Sequence, residues 1–166
     1  MRLPWQAVAG GTLVLAVGAA GLVRGAMPQS AASDSAASSA NPITVTGAYV
    51  RPPLPPTELA GAYFTVRNNT GQADRLLSVQ TGAGAESVLH TVDASGAMSA
   101  TGTATVPAHG RLALTVGKAH VMISELFGPL RAGSQVNISL QFQNAGSVDV
   151  VAPVVPYGQN PPGVPK

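Results

Sequence analysis

From residue 43 onward the chain alternates apolar and polar positions with a period of two, the pattern of strands that turn one face to a core. Ile138, Leu140 and Phe142 alternate with Asn137, Ser139 and Gln141. Ala62, Phe64 and Val66 alternate with Tyr63, Thr65 and Arg67, and Leu112, Leu114 and Val116 with Arg111, Ala113 and Thr115. Further strands are predicted over 43–50, 74–80, 86–92, 97–106, 119–126 and 147–154. Turn-forming stretches separate them: NNTGQ, TGAG, DASG, PAHG, RAGS and NAGS. No window between 43 and 155 carries the period of an amphipathic helix. Seven to nine short strands with frequent turns predict an all-β, antiparallel sandwich with Greek-key connections. RPPLPP at 51–56 cannot donate to a ladder from its prolines and is expected to be a crossing loop.

The ends break this pattern. Arg2 and Arg24 flank an uncharged apolar stretch, PWQAVAGGTLVLAVGAAGLV. It is long enough to span a bilayer, and it also fits a long secretory signal cleaved among the small residues that follow. Residues 1–25 are therefore expected to be a signal peptide or membrane anchor, with Trp5 suited to the interface if the segment is retained. Either reading places the body outside the cytoplasm. Residues 26–42, AMPQSAASDSAASSANP, are too small and polar to bury a core and read as a flexible linker. Residues 156–166 hold four prolines and are expected to form an extended tail. The folded part is thus 43–155, an ordinary size for one domain.

Composition narrows the chemistry. Only 10% of residues are charged, and the net charge of +2 rests largely on the ends. No clustered basic face is available for nucleic acid. The absence of cysteine excludes disulfides, thiolate-bound metals, thiol catalysis, a lipid anchor on cysteine and a blue-copper electron-transfer centre. Glu58, Glu86, Asp93 and Glu125 are dispersed, so paired carboxylates are missing. No G-x-S-x-G elbow or strand–Gly-loop–helix unit occurs, and no enzyme is expected.

What remains is a set of soft and borderline donors. The body's only methionines are Met98 and Met122, and its histidines are His90, His109 and His120. His120 and Met122 lie two apart in AHVM, so both side chains leave one face of a strand while Val121 and Ile123 leave the other. If 86–92 and 97–106 form a hairpin, His90 and Met98 approach each other across it. Two imidazoles and two thioethers favour Cu(I) over zinc, calcium or magnesium. Ordinary packing of strand residues explains the same pattern without a metal, and both readings stand at this level. His109 in PAHG reads as an exposed turn residue; a weaker second site involving it would suit Cu(II).

Four stretches, AGAYFTVRNNTGQADRLLSV, VLHTV, VPAHGRLALTVGKAHVMISEL and PLRAGSQVNISLQFQNAGSVDV, resemble the periplasmic PCu(A)C copper-chaperone family, also described as DUF461. The family's metal motif runs His-Met, about ten residues, Met, about twenty-one residues and His-x-Met; here twenty-one residues lie between Met98 and His120. The first half departs from it: Thr91 follows His90 in place of Met, and seven residues separate His90 from Met98. The resemblance implies a cupredoxin-like sandwich that binds Cu(I) through His90, Met98, His120 and Met122. It also implies delivery to a partner such as the Cu(A) domain of cytochrome c oxidase or a Sco-type protein. The alternatives are copper storage or buffering, and a metal-free binding module.

Overall fold

The computed structural model describes residues 41–161. The predicted signal or anchor, the linker up to residue 40 and the last five residues lie outside that range. Ten strands follow in order: β1 (Ile43–Arg51), β2 (Ala60–Asn68), β3 (Asp74–Thr81), β4 (Gly84–Val92), β5 (Met98–Ala100), β6 (Ala104–Val106), β7 (Arg111–Leu114), β8 (His120–Leu126), β9 (Gln135–Phe142) and β10 (Gly146–Pro153). They form two antiparallel sheets. One has the order β1-β2-β8-β4-β5, with β7 also on β2; the other has the order β10-β9-β3-β6. The chain passes between the sheets after β2, β3, β5, β6 and β8, which gives the expected all-β sandwich.

Alternation places the core where the sequence puts it. In β9, Val136, Ile138, Leu140 and Phe142 are buried. In β8, Val121 and Ile123 are fully buried while His120, Met122 and Ser124 face outward. Phe64, Leu76, Leu89, Leu114 and Val106 complete the interior between the sheets. Truncating a fully buried phenylalanine such as Phe64 to alanine in such a core costs about 3–5 kcal/mol.

The buried side chains of Asp74 and Asn68 are matched, as dry interiors require. The Asp74 carboxylate accepts from the backbone N–H groups of Asn144 and Ala145, fastening the β9–β10 turn to β3. The Asn68 amide donates to Gln72 O and Val106 O, and its oxygen accepts from Thr70.

Three expected elements differ. The 97–106 strand is two strands in two sheets. After Ala100 the backbone N–H groups of Thr101 and Gly102 both donate to Leu89 O, and Gly102 adopts a φ of 65°, so the chain turns off the first sheet. The 111–116 strand stops at Leu114, and Val116 is 61% exposed in the following turn. Finally, 52–59 joins neighbouring strands of one sheet instead of crossing the sandwich. Its prolines act there as expected, by keeping the segment out of the ladder.

The β7–β8 line sets the surroundings of His120. β7 pairs with the second half of β2 and β8 with the first half, in the same direction. They are one strand path interrupted by residues 115–119. Gly117, with φ of 79°, and a Lys118 N–H bond to Thr115 O close that interruption as a tight turn. His120 is the first residue after it.

Candidate metal centre

Cross-strand register fixes which side chains share the outer face of the first sheet. Directly opposite residues in an antiparallel pair point the same way. His90 on β4 is opposite His120 on β8, and Val88 is opposite Met122. On the other side of β4, Val92 is opposite Met98 and His90 opposite Ala100. All four predicted ligands therefore leave one face of one sheet. His90 and His120 stack with ring centroids 5.5 Å apart and planes tilted by 24°. Met122 and Met98 are diagonal neighbours of His90, one on each side. Diagonal positions in a sheet lie about 7–8 Å apart, within reach of side chains as long as methionine.

The expected hairpin between His90 and Met98 thus exists, but it is short. β5 has three residues, all exposed, and Met98 is 54% exposed at the edge of the sheet. Its turn is set by Asp93, whose Oδ1 accepts from the Ser95 N–H, the Ser95 hydroxyl and the Ala97 N–H. The Ser95 hydroxyl and the Ala97 N–H hold the Asp93 carboxyl below the usual carboxylate range.

The two imidazoles sit in different surroundings. Burial pushes the His90 pKa below its ordinary value, and the neighbouring His120 pushes in the same direction. His90 Nδ1 is buried with no hydrogen-bond partner. The His120 Nδ1 lies 3.2 Å from Lys118 O. A carbonyl oxygen only accepts, so Nδ1 is the donor in that bond and Nε2 is left outside it. The 115–119 turn is what returns Lys118 O to the ring. An orphaned buried nitrogen on one imidazole, a ring held by a backbone hydrogen bond on the other and two thioethers on the same face fit a soft cation. Among the described residues no group of three or more His, Cys, Asp or Glu side chains gathers, and this face offers two histidines with two thioethers instead.

His109 is not brought to this face. It sits on the β6–β7 turn with φ of 52°, and its N–H donates to Thr70 O. It is exposed there, the position expected of a turn residue.

The sequence did not disclose the wall on the β2 side. Opposite the break between β7 and β8, β2 presents Tyr63, whose ring is 6.1 Å from that of His120. Tyr49, the register partner of Tyr63, stacks on it at 5.1 Å. The Arg51 guanidinium lies 5.2 Å from the Tyr49 ring and 5.5 Å from that of Tyr157. Arg51 donates to the carbonyls of Val155, Pro156 and Gln159, so the first part of the proline-rich tail is fastened to the domain. Burial raises the pKa of both Tyr63 and Tyr49, which keeps the two phenols neutral. The alternation of Tyr63 with Ala62 and Phe64 was visible, but its alignment with Tyr49 and Arg51 beside His120 depends on strand register and on the β7–β8 interruption.

Comparison with known proteins gives this arrangement relatives. A family model described as LpqE-like, a family of lipoprotein type, matches residues 43–154. The chain belongs to the LpqE-like family. No curated protein sequence matches it. Among solved structures, this LpqE-like chain is similar to CuI-DR1885 from Deinococcus radiodurans, with 31% identity over 74% of this chain and 85% of that one and a TM-score of 0.63. Apo-DR1885 from the same organism shows 29% identity over 90% and 98% of the two chains, with a TM-score of 0.57. The copper-bound PCuAC domain from PmoF2 shares the fold at 23% identity, covering 69% and 93%, with a TM-score of 0.60. The LpqE-like sequence here contains no cysteine, so a lipid carried on a cysteine has no attachment point within it.

Proposed function

We propose that this protein is an exported copper carrier. It binds one Cu(I) through His90, Met98, His120 and Met122 and hands it to a copper-accepting protein. The observation that carries the reading is the His90–His120 pair, opposed across β4 and β8 at 5.5 Å, with a methionine diagonal to it on either side. Likeness to copper-bound and Cu(I)-bound domains supports the choice of metal.

The donor set explains carriage better than retention. Four neutral ligands leave the complex cationic and rank Cu(I) above harder ions. The face is open to solvent at Met98, so an acceptor's donors can replace this chain's donors one at a time. The Cu(A) centre of cytochrome c oxidase and Sco-type proteins are the acceptors proposed, on the resemblance to the chaperone family. Export agrees with the lipoprotein-type description of the family and with the apolar N-terminal stretch. If the linker is flexible, its seventeen residues would give a tethered domain a reach on the order of 20–25 Å.

The test is a Cu(I) titration of the full chain under reducing conditions against a competing chelator, followed by mixing with an apo Cu(A) domain. One equivalent bound and then transferred supports the reading. Absence of binding contradicts it, and binding without transfer to any acceptor turns it toward storage.

A further inference from the structure

We propose that Tyr63 is a positioning residue for His120, and that Gly61 is what allows it to be one. The inference rests on the reading that His120 ligates the metal.

Gly61 lies in the interior of β2, paired with Arg51 on one side and Met122 on the other. Glycine weakens a strand interior and marks places where another group lies close over the backbone. Here that group is the phenol of Tyr63. A Cβ built on Gly61 would meet the Tyr63 hydroxyl oxygen at 2.9 Å and two ring carbons at 3.1 and 3.2 Å. The ring therefore lies back along its own strand, across residue 61. In that pose it takes the space beside the row containing Met122 and turns its ring toward His120, 6.1 Å away.

His120 is then confined on three sides. His90 stacks on it from β4, Tyr63 stands on the β2 side, and Lys118 O accepts from its Nδ1. Tyr63 is itself backed by a row of side chains. Tyr49 stacks behind it, and Arg51 lies behind Tyr49, with its guanidinium bound to three carbonyl oxygens. Aromatic contacts at these separations are attractive and directional, so the row transmits position as well as filling space. An imidazole held at a fixed angle loses less freedom when it binds a metal, which is how supporting groups raise metal affinity.

The test uses the full chain with Gly61→Ala, Tyr63→Leu, Tyr63→Phe and the combination of Gly61→Ala with Tyr63→Leu. Two quantities are read: Cu(I) affinity by chelator competition, and the His120 ring proton shifts of the copper-free protein at fixed neutral pH. Gly61→Ala is expected to fold, because the clash falls on the far end of a side chain. It should displace the phenol, move the His120 ring signals and lower Cu(I) affinity about tenfold, the scale of losing a ligand's supporting partner. Tyr63→Leu should do the same, and Gly61→Ala should then add nothing in the Tyr63→Leu background. Tyr63→Phe keeps the ring and should stay within about threefold of the parent, well short of the loss expected for a missing supporting group. Unmoved His120 signals in Gly61→Ala and Tyr63→Leu would overturn the proposal, as would an equal effect of Gly61→Ala with and without Tyr63. If Tyr63→Leu fails to fold, Gly61→Ala alone decides through the ring signals. Failure of the parent to bind Cu(I) would refute the proposed function, while the His120 signals would still decide whether Tyr63 positions that ring.

Discussion

The candidate centre is built from two unlike halves. His120 and Met122 sit on β8, which has β2 on one side and β4 on the other. Met122 is paired on both edges and His120 on the β4 edge, their strand's other face is buried, and one ring nitrogen of His120 is already hydrogen-bonded. His90 and Met98 are joined only through a three-residue edge strand and a turn organised by one exposed aspartate. Rigidity thus falls from β8 to β5 within a single set of donors. In the proposed carrier that gradient would let the firm half keep the metal while the loose half gives way first to an incoming acceptor.

The strongest challenge to this division is to part the halves. Gly84 begins β4 opposite Leu126 at the end of β8. A Cβ there would lie 2.4 Å from Ser124 O, which is backbone and cannot swing aside. Gly84→Ala is expected to destabilise the fold by about 3 kcal/mol or more, the upper range for overpacking. Denaturant unfolding measures it; a shift of less than about 0.5 kcal/mol, as at an ordinary surface site, would show that the β4–β8 junction is not tight.

Ligand substitutions should then rank by half. His120→Ala and Met122→Ala should each lower Cu(I) affinity by more than about a hundredfold, beyond what losing a supporting partner costs. Met98→Ala should cost about tenfold and speed copper release to a chelator, because its strand is least constrained. Equal losses at all three positions would remove the distinction. A smaller effect is expected from Asp93→Ala, which leaves every donor in place and frees only the turn before Met98. Its Cu(I) affinity should fall a few-fold, still short of the tenfold scale of a supporting partner, with His120 unaffected.

The pH dependence should be smaller still. The His90 pKa is lowered in the folded protein, so as pH falls below the ordinary imidazole value of about 6.5 the unfolded chain takes up a proton before the folded one does. Stability of the copper-free protein is therefore full above that value and declines as pH falls toward the lowered folded pKa. His90→Gln should flatten this decline between about pH 7 and pH 5, around the ordinary imidazole value, as followed by thermal melts. An unchanged slope would show that His90 is not shielded.

Sequence and structure agree most where local rules suffice. Alternation located the strands and the core, and the two-residue spacing of His120 and Met122 put both on one face whatever the tertiary context. The His90–Met98 hairpin was legible as a possibility, but its length was not. The break after Ala100 depends on Leu89 O capturing two N–H groups and on Gly102, and these contacts exist only once β4 and β5 are paired. The continuation of Leu112 and Leu114 to Val116 failed for a related reason. A tight turn at 115–119 overrode good strand propensity, and its service to His120 could not be read from alternation. The Tyr49–Tyr63–His120 row lay furthest from the sequence, because it needs the register of three strands at once.

The most direct test of the centre is X-ray absorption on the full chain loaded with one equivalent of Cu(I). Two nitrogen and two sulfur donors are expected, with one sulfur lost in Met98→Ala and one in Met122→Ala. A shell of nitrogen and oxygen alone, or one whose sulfur content survives both substitutions, would contradict the site.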